Sequence, residues 1–77
     1  MTRYFFNIVH SDMSRVPDEE GEVFPNYELA KQEAVESMRD LVCDAVKQGG
    51  KVTGLGIEIV DETGNVLETL RARVTFD

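Results

Sequence analysis

The chain has 77 residues, with 15 acidic and 8 basic side chains, a formal charge of −7 and one cysteine. That length supports a single domain over residues 1–77, since separate cores need roughly 50 residues or more each. One cysteine excludes an internal disulfide, no Cys/His cluster suggests a structural zinc, and the acidic balance argues against binding phosphate backbones, which needs concentrated Lys and Arg.

A domain this small buries only about 60–65% of its unfolded surface, so its core is thin or is completed by another chain. The opening Met1-Thr2-Arg3-Tyr4-Phe5-Phe6 has neither the long apolar region nor the small-residue cleavage site of a signal peptide. The longest apolar runs fall well short of the roughly 18–20 residues that span a bilayer. A lone reduced thiol suits the cytoplasm. The expectation is therefore a cytoplasmic protein with no membrane segment.

The first element is a strand over residues 4–9, Tyr4-Phe5-Phe6-Asn7-Ile8-Val9, aromatic and β-branched. Tyr4, Phe6 and Ile8 point one way and Phe5, Asn7 and Val9 the other. Residues 10–15 are polar and predict a loop. Val16-Pro17-Asp18-Glu19-Glu20-Gly21 predicts a turn with Gly21 free to take positive φ. Glu22-Val23-Phe24 predicts a short second strand that pairs with the first.

Asn26 is a good N-cap, and Glu28 in the first turn suits the positive end of a helix dipole. From Tyr27 to Gln48, apolar residues recur at Tyr27, Ala30, Ala34, Met38, Leu41 and Ala45, with Val35, Val42 and Val46 widening the stripe. Met38 and Leu41 are expected to be buried against the sheet. Gly49-Gly50 ends the helix. Leu55-Gly56-Ile57-Glu58-Ile59-Val60 alternates as a strand, and Asp61-Glu62-Thr63-Gly64-Asn65 predicts a hairpin turn with Gly64 in the left-handed region. Residues 66–76 return as the last strand, with a bulge allowed where Leu67 breaks the alternation.

The order β-β-α-β-β gives an α+β fold, an antiparallel sheet of three to four strands with one long helix packed on one face. The helix covers one face only, while Phe5 and Val9 make the other face apolar. That points to a homodimer through Phe5 and Val9.

These residues resemble a family of small uncharacterised bacterial proteins, mainly alphaproteobacterial, classed as a domain of unknown function. The resemblance rests on the opening Arg3-Tyr4-Phe5-Phe6, the Asp-x-x-Gly turn Asp18-Glu19-Glu20-Gly21, Ala30 and Ala34 followed by Arg39-Asp40-Leu41, and the hairpin Ile57-Glu58-Ile59-Val60-Asp61-Glu62-Thr63-Gly64. Family members more often carry His or another residue where this chain has Asn7, and their C-terminal end is less basic. The resemblance implies the fold and a bacterial cytoplasmic setting, and it implies no activity.

No catalytic or cofactor constellation stands out, so the chain is expected not to be an enzyme and to hold no metal or cofactor. His10, Asp12 and Asp18 could converge in a loop to bind a metal or small ligand, but their spacing matches no ligand motif. Cys43 lies beside Asp40 and Asp44 in the C-terminal half of the helix, which suits a core or boundary thiol better than a nucleophile. Glu33, Glu36, Asp40 and Asp44 follow helical spacing as an acidic stripe, either a solvated face or a dock for a basic partner. Arg71 and Arg73, with Arg3, could meet an anion, and they equally suit edge-strand charges that deter sheet pairing. Gly54-Leu55-Gly56 lacks the third glycine of a dinucleotide fingerprint.

Two function classes follow. The first is a non-catalytic protein-interaction module using Phe5, Val9, Glu33, Glu36, Asp40 and Asp44, with an unidentified protein partner and no nucleic acid. The second is a small-ligand or metal-binding domain using the loop from His10 to Asp18.

Overall fold

Alternating side chains place β1 (Thr2–Val9) at the heart of an antiparallel sheet. The computed structural model describes residues 1–50 and 52–72. The remaining elements are β2 (Arg15–Val16), β3 (Glu22–Phe24), α1 (Tyr27–Lys47), β4 (Gly56–Val60) and β5 (Val66–Arg71). The strand order is β2-β1-β4-β5, and β3 pairs with the first half of β1. The expected α+β fold, one helix on an antiparallel sheet, is the fold observed.

One strand was not expected. Residues 10–15 read as a loop, yet Arg15 and Val16 pair with Val9 and Ile8. The reversal that allows this is tight: His10 N–H donates to the Ser14 carbonyl at 2.8 Å, and Met13 N–H donates to the His10 carbonyl at 2.9 Å. Met13 carries the left-handed conformation, φ 73°. Such a position normally announces itself as Gly or Asn, so this hairpin left no signal in the sequence.

The helix begins and ends as its caps dictate. The Asn26 side chain accepts the Leu29 amide at 3.0 Å. At the other end Gly50 N–H reaches the Ala45 carbonyl and Gly49 N–H the Val46 carbonyl, with Gly49 at φ 70°. This paired arrangement is a Schellman motif, which satisfies carbonyls the helix would otherwise leave bare.

The core lies between α1 and the sheet. Ala30 and Ala34 are fully buried and let the helix approach closely, while Ile57 and Ile59 of β4 fill the centre with Tyr4, Phe24, Met38 and Leu55. Tyr4, Phe24 and Tyr27 pack as tilted or edge-on rings, with centroids 6.0–6.2 Å apart for the two pairs that include Tyr4. Leu41 corrects an expectation: it is half-buried and packs on the margin of the core instead of inside it.

The β4–β5 hairpin turns on Asp61, whose carboxylate accepts the amides of Thr63 and Asn65, both at 2.9 Å. Gly64 takes φ 90°, as its place in the turn predicts. The pairing shifts register between Ile59–Glu68 and Val60–Val66, so Leu67 is the extra residue of a β-bulge. The expected continuation of this strand to Phe76 lies outside the described residues, and Arg73 with it.

Candidate functional site

A helix with its side chains is about 10–12 Å wide, whereas neighbouring strands stand about 4.8 Å apart, so one helix cannot cover a sheet of this width. Here α1 lies over β4, and an apolar groove opens on either flank. The larger groove, about 580 Å³, runs between α1 and β5 and is lined by Val35, Met38, Val42 and Cys43 of the helix and Leu70 of the strand. Arg39 stands at its margin, and Arg71 borders it from β5 with its side chain on the opposite sheet face, across from Gly56. The second, about 400 Å³, lies between α1 and β1, with Phe6, Ile8, Leu41 and Ile57 as its floor and Asp40 and Asp44 on its rim. The rims therefore carry opposite charge.

The outer edge of β5 borders the larger groove. Ala72 N–H donates to the Leu55 carbonyl at 2.9 Å, so the backbone groups of Ala72, and by alternation Leu70, turn inward toward β4. Thr69 and Arg71 then turn their N–H and C=O groups outward. Among the described residues nothing pairs with that edge.

At the other end of the same helix–strand interface, the Tyr27 hydroxyl donates to Glu68 Oε1 at 2.6 Å and Lys31 Nζ lies 3.0 Å from Glu68 Oε2. Partial burial, followed by the hydrogen bond to Glu68, pushes the Tyr27 phenol up to about 12. The bond from Tyr27, then that from Lys31, holds Glu68 below its ordinary range. This triad ties helix to strand where the groove ends.

The sequence-derived candidates separate into distinct places. Glu33, Glu36, Asp40 and Asp44 are all exposed; Asp40 and Asp44 border the groove beside β1, and Glu36 borders a separate depression along the helix with Glu28, Lys31 and Arg39. Phe5 is half-buried on the sheet face away from the helix, opposite Val60. Val9 is 4% exposed and offers no surface within one chain, a correction to its reading as an interaction residue. Cys43 is exposed and not a core or boundary residue, because the helix turns it toward the groove mouth. Gly54 lies in a turn and Gly56 in β4, and no helix follows them closely as a dinucleotide fingerprint requires.

The loop candidates are occupied with holding the chain together. Asp12 accepts both the amide and the hydroxyl of Ser14, and those bonds hold its carboxyl below the usual range. Asp18 plugs a gap along β1 between β2 and β3. Its Oδ2 accepts the Phe6 amide at 3.1 Å, and its Oδ1 accepts the amides of Glu20 and Gly21 at 3.3 and 3.0 Å. Asn7 closes the loop from the strand side, accepting the Asp18 amide at 3.0 Å, while an Arg3 guanidinium N–H donates to the Glu20 carbonyl at 2.8 Å. Gly21, at φ 67°, has no room for a side chain, since a Cβ would lie 2.7 Å from the Tyr4 carbonyl oxygen and 2.8 Å from the Phe5 ring. The Asp-x-x-Gly pattern is thus a plug in the sheet edge. Among the described residues no group of three or more His, Cys, Asp or Glu is placed to hold a metal.

The groove residues Val35, Val42 and Leu70 were absent from the sequence-derived site. Their signal was present, because Val35 and Val42 make the helix's apolar stripe wider than its contact with one strand needs.

A family model described as a domain of unknown function, DUF6894, matches residues 3–76. The chain belongs to the DUF6894 family. No curated protein and no solved structure matches it. The DUF6894 match takes in β1, the Asp18–Gly21 plug, the helix and both strands of the second hairpin, so the family's domain includes both grooves. Among the described residues no helix is long and apolar enough to cross a membrane.

Proposed function

We propose that this DUF6894 chain is a non-catalytic protein-interaction module of the bacterial cytoplasm. The observation that carries this reading is the pair of uncovered apolar grooves along α1, one rimmed by Asp40 and Asp44, the other by Arg39, with Arg71 on the far face of the strand that borders it. Apolar floors with charged rims are the usual anatomy of a protein interface, in which the floor contributes affinity and the rim selects the partner. The ligand-binding alternative loses support because Asp12 and Asp18 already serve the backbone. A homodimer through the Phe5 face loses support because Val9 is buried within one chain.

Quantitative affinity capture from the native cell tests the reading. The full chain is compared with Asp40→Lys/Asp44→Lys and with Arg39→Glu/Arg71→Glu, each checked for an unchanged melting temperature. The expected result is a set of proteins held by the wild type and lost with at least one rim variant. A capture profile identical for all three would overturn the proposal.

A further inference from the structure

We infer that the outer edge of β5 and the groove beside it bind an extended peptide strand whose residues alternate apolar and acidic. The inference rests on the interaction-module reading and assigns one of its two grooves a partner chemistry. Thr69 and Arg71 present outward N–H and C=O groups, the hydrogen-bonding half of a strand pair. A strand docked there sends alternate side chains to opposite faces. On the helix side they meet the groove of Val35, Met38, Val42 and Leu70, which favours apolar residues. On the other side they run beside Arg71, which the register places across from Gly56 on the sheet face away from the helix.

Charge decides the remaining positions. The chain carries a formal charge of −7, yet arginines stand at this edge. Neither Arg39 nor Arg71 forms an ion pair among the described residues, whereas Arg15 pairs with Glu58 and Lys31 with Glu68. Acidic side chains on the docked strand's outer face complement Arg71, and Arg39 at the groove margin adds to the positive field at this edge. A second copy of this chain, pairing β5 with β5 about a twofold axis, would bring the same arginines toward themselves. The Leu67 bulge distorts β5 upstream, leaving Glu68 to Arg71 as the regular stretch for pairing.

Three fluorescein-labelled octapeptides test this by anisotropy titration into the full chain at low salt: alternating valine and glutamate, alternating valine and lysine, and the valine–glutamate peptide N-methylated throughout. The valine–glutamate peptide is expected to bind saturably, and the other two at least about tenfold more weakly. Arg39→Glu/Arg71→Glu should invert the preference between glutamate and lysine. Occupancy should also slow alkylation of Cys43, which lies at the groove mouth. Thr69→Pro, whose lost N–H faces away from β4, should stay folded and lose binding. Equal binding of the glutamate and lysine peptides, undiminished binding of the N-methylated one, or no saturable binding at all would overturn the inference. So would a dimer, seen by sedimentation, that the valine–glutamate peptide does not dissociate. Captured partners that depend on Asp40 and Asp44 alone would keep the module reading and sink this one.

Discussion

The Asp18 carboxylate stands where a strand would otherwise be, accepting the Phe6 amide at 3.1 Å in the gap between β2 and β3. Removing it leaves Phe6, Glu20 and Gly21 amides without their acceptor. Asp18→Ala should therefore cost about 1–3 kcal/mol in urea denaturation, the range for a donor left unpaired. Asp18→Asn keeps one carbonyl acceptor and should cost about half as much. A loss with Asp18→Ala of less than about 0.5 kcal/mol, the level of an ordinary surface change, would show that water replaces the plug freely.

Gly21 and Gly49 share a left-handed backbone but not their surroundings. A Cβ at Gly21 meets the Tyr4 carbonyl oxygen at 2.7 Å, while one at Gly49 meets nothing within 4 Å. Gly49→Ala should cost only the conformational penalty, about 1–2 kcal/mol. Gly21→Ala adds steric overlap, worth about 1–3 kcal/mol more. Equal melting temperatures for the two variants would show that β1 yields to the added methyl.

Met38 and Leu41 occupy neighbouring turns of α1 and differ in depth. Met38→Ala should cost about 2–4 kcal/mol through cavity formation and lost transfer energy. Leu41 is half-buried, so Leu41→Ala should cost roughly half of that. Chemical denaturation of the two variants gives the order directly, and a reversed order would misplace the helix on the sheet.

The Tyr27–Glu68–Lys31 triad gives stability a pH dependence at both ends. Glu68 titrates below its ordinary 4.5 in the folded chain, so its contribution is full above that value and is lost as pH falls through the folded pKa. Tyr27 is raised from 10.0 to about 12, so its contribution is full below 10.0 and is lost as pH rises through the higher value. Phenolate absorbance of Tyr27 should appear only near the upper value, and Glu68→Gln should bring it down. Melting temperature of Glu68→Gln should also fall less on acidification than that of wild type. An unchanged tyrosine titration in Glu68→Gln would remove the coupling.

The long elements could be read from residue order because their physics is local. Asn26, the Gly49-Gly50 pair and the recurrence of Ala30, Ala34 and Met38 each act within a few residues, and they define α1 unaided. The bulge at Leu67 was visible for the same reason, as a break in a period of two. What failed to show depended on distant partners. Met13 has no turn chemistry of its own and takes φ 73° as β2 pairs with the end of β1. Val9 read as a surface residue because strand alternation reports the face and not what covers it. The grooves were half-legible: Val35 and Val42 announced apolar surface, but only the width of the sheet beyond the helix shows that it stays open.

The position of β4 bears on how the chain folds as it is made. It lies between β1 and β5 in space, supplies Ile57 and Ile59 to the core, and comes after α1 in sequence. A ribosome that has released residues 1–50 has therefore delivered a ribbon and a helix with no central strand to join them. The aromatic side chains of β1 wait in water until residues 56–60 emerge, and pairing across that separation carries the loop-closure cost that makes nonlocal sheets slow to form. Nascent chains stalled at residue 50 should accordingly be protease-sensitive throughout, and protection should arise in one step once β4 has cleared the exit tunnel.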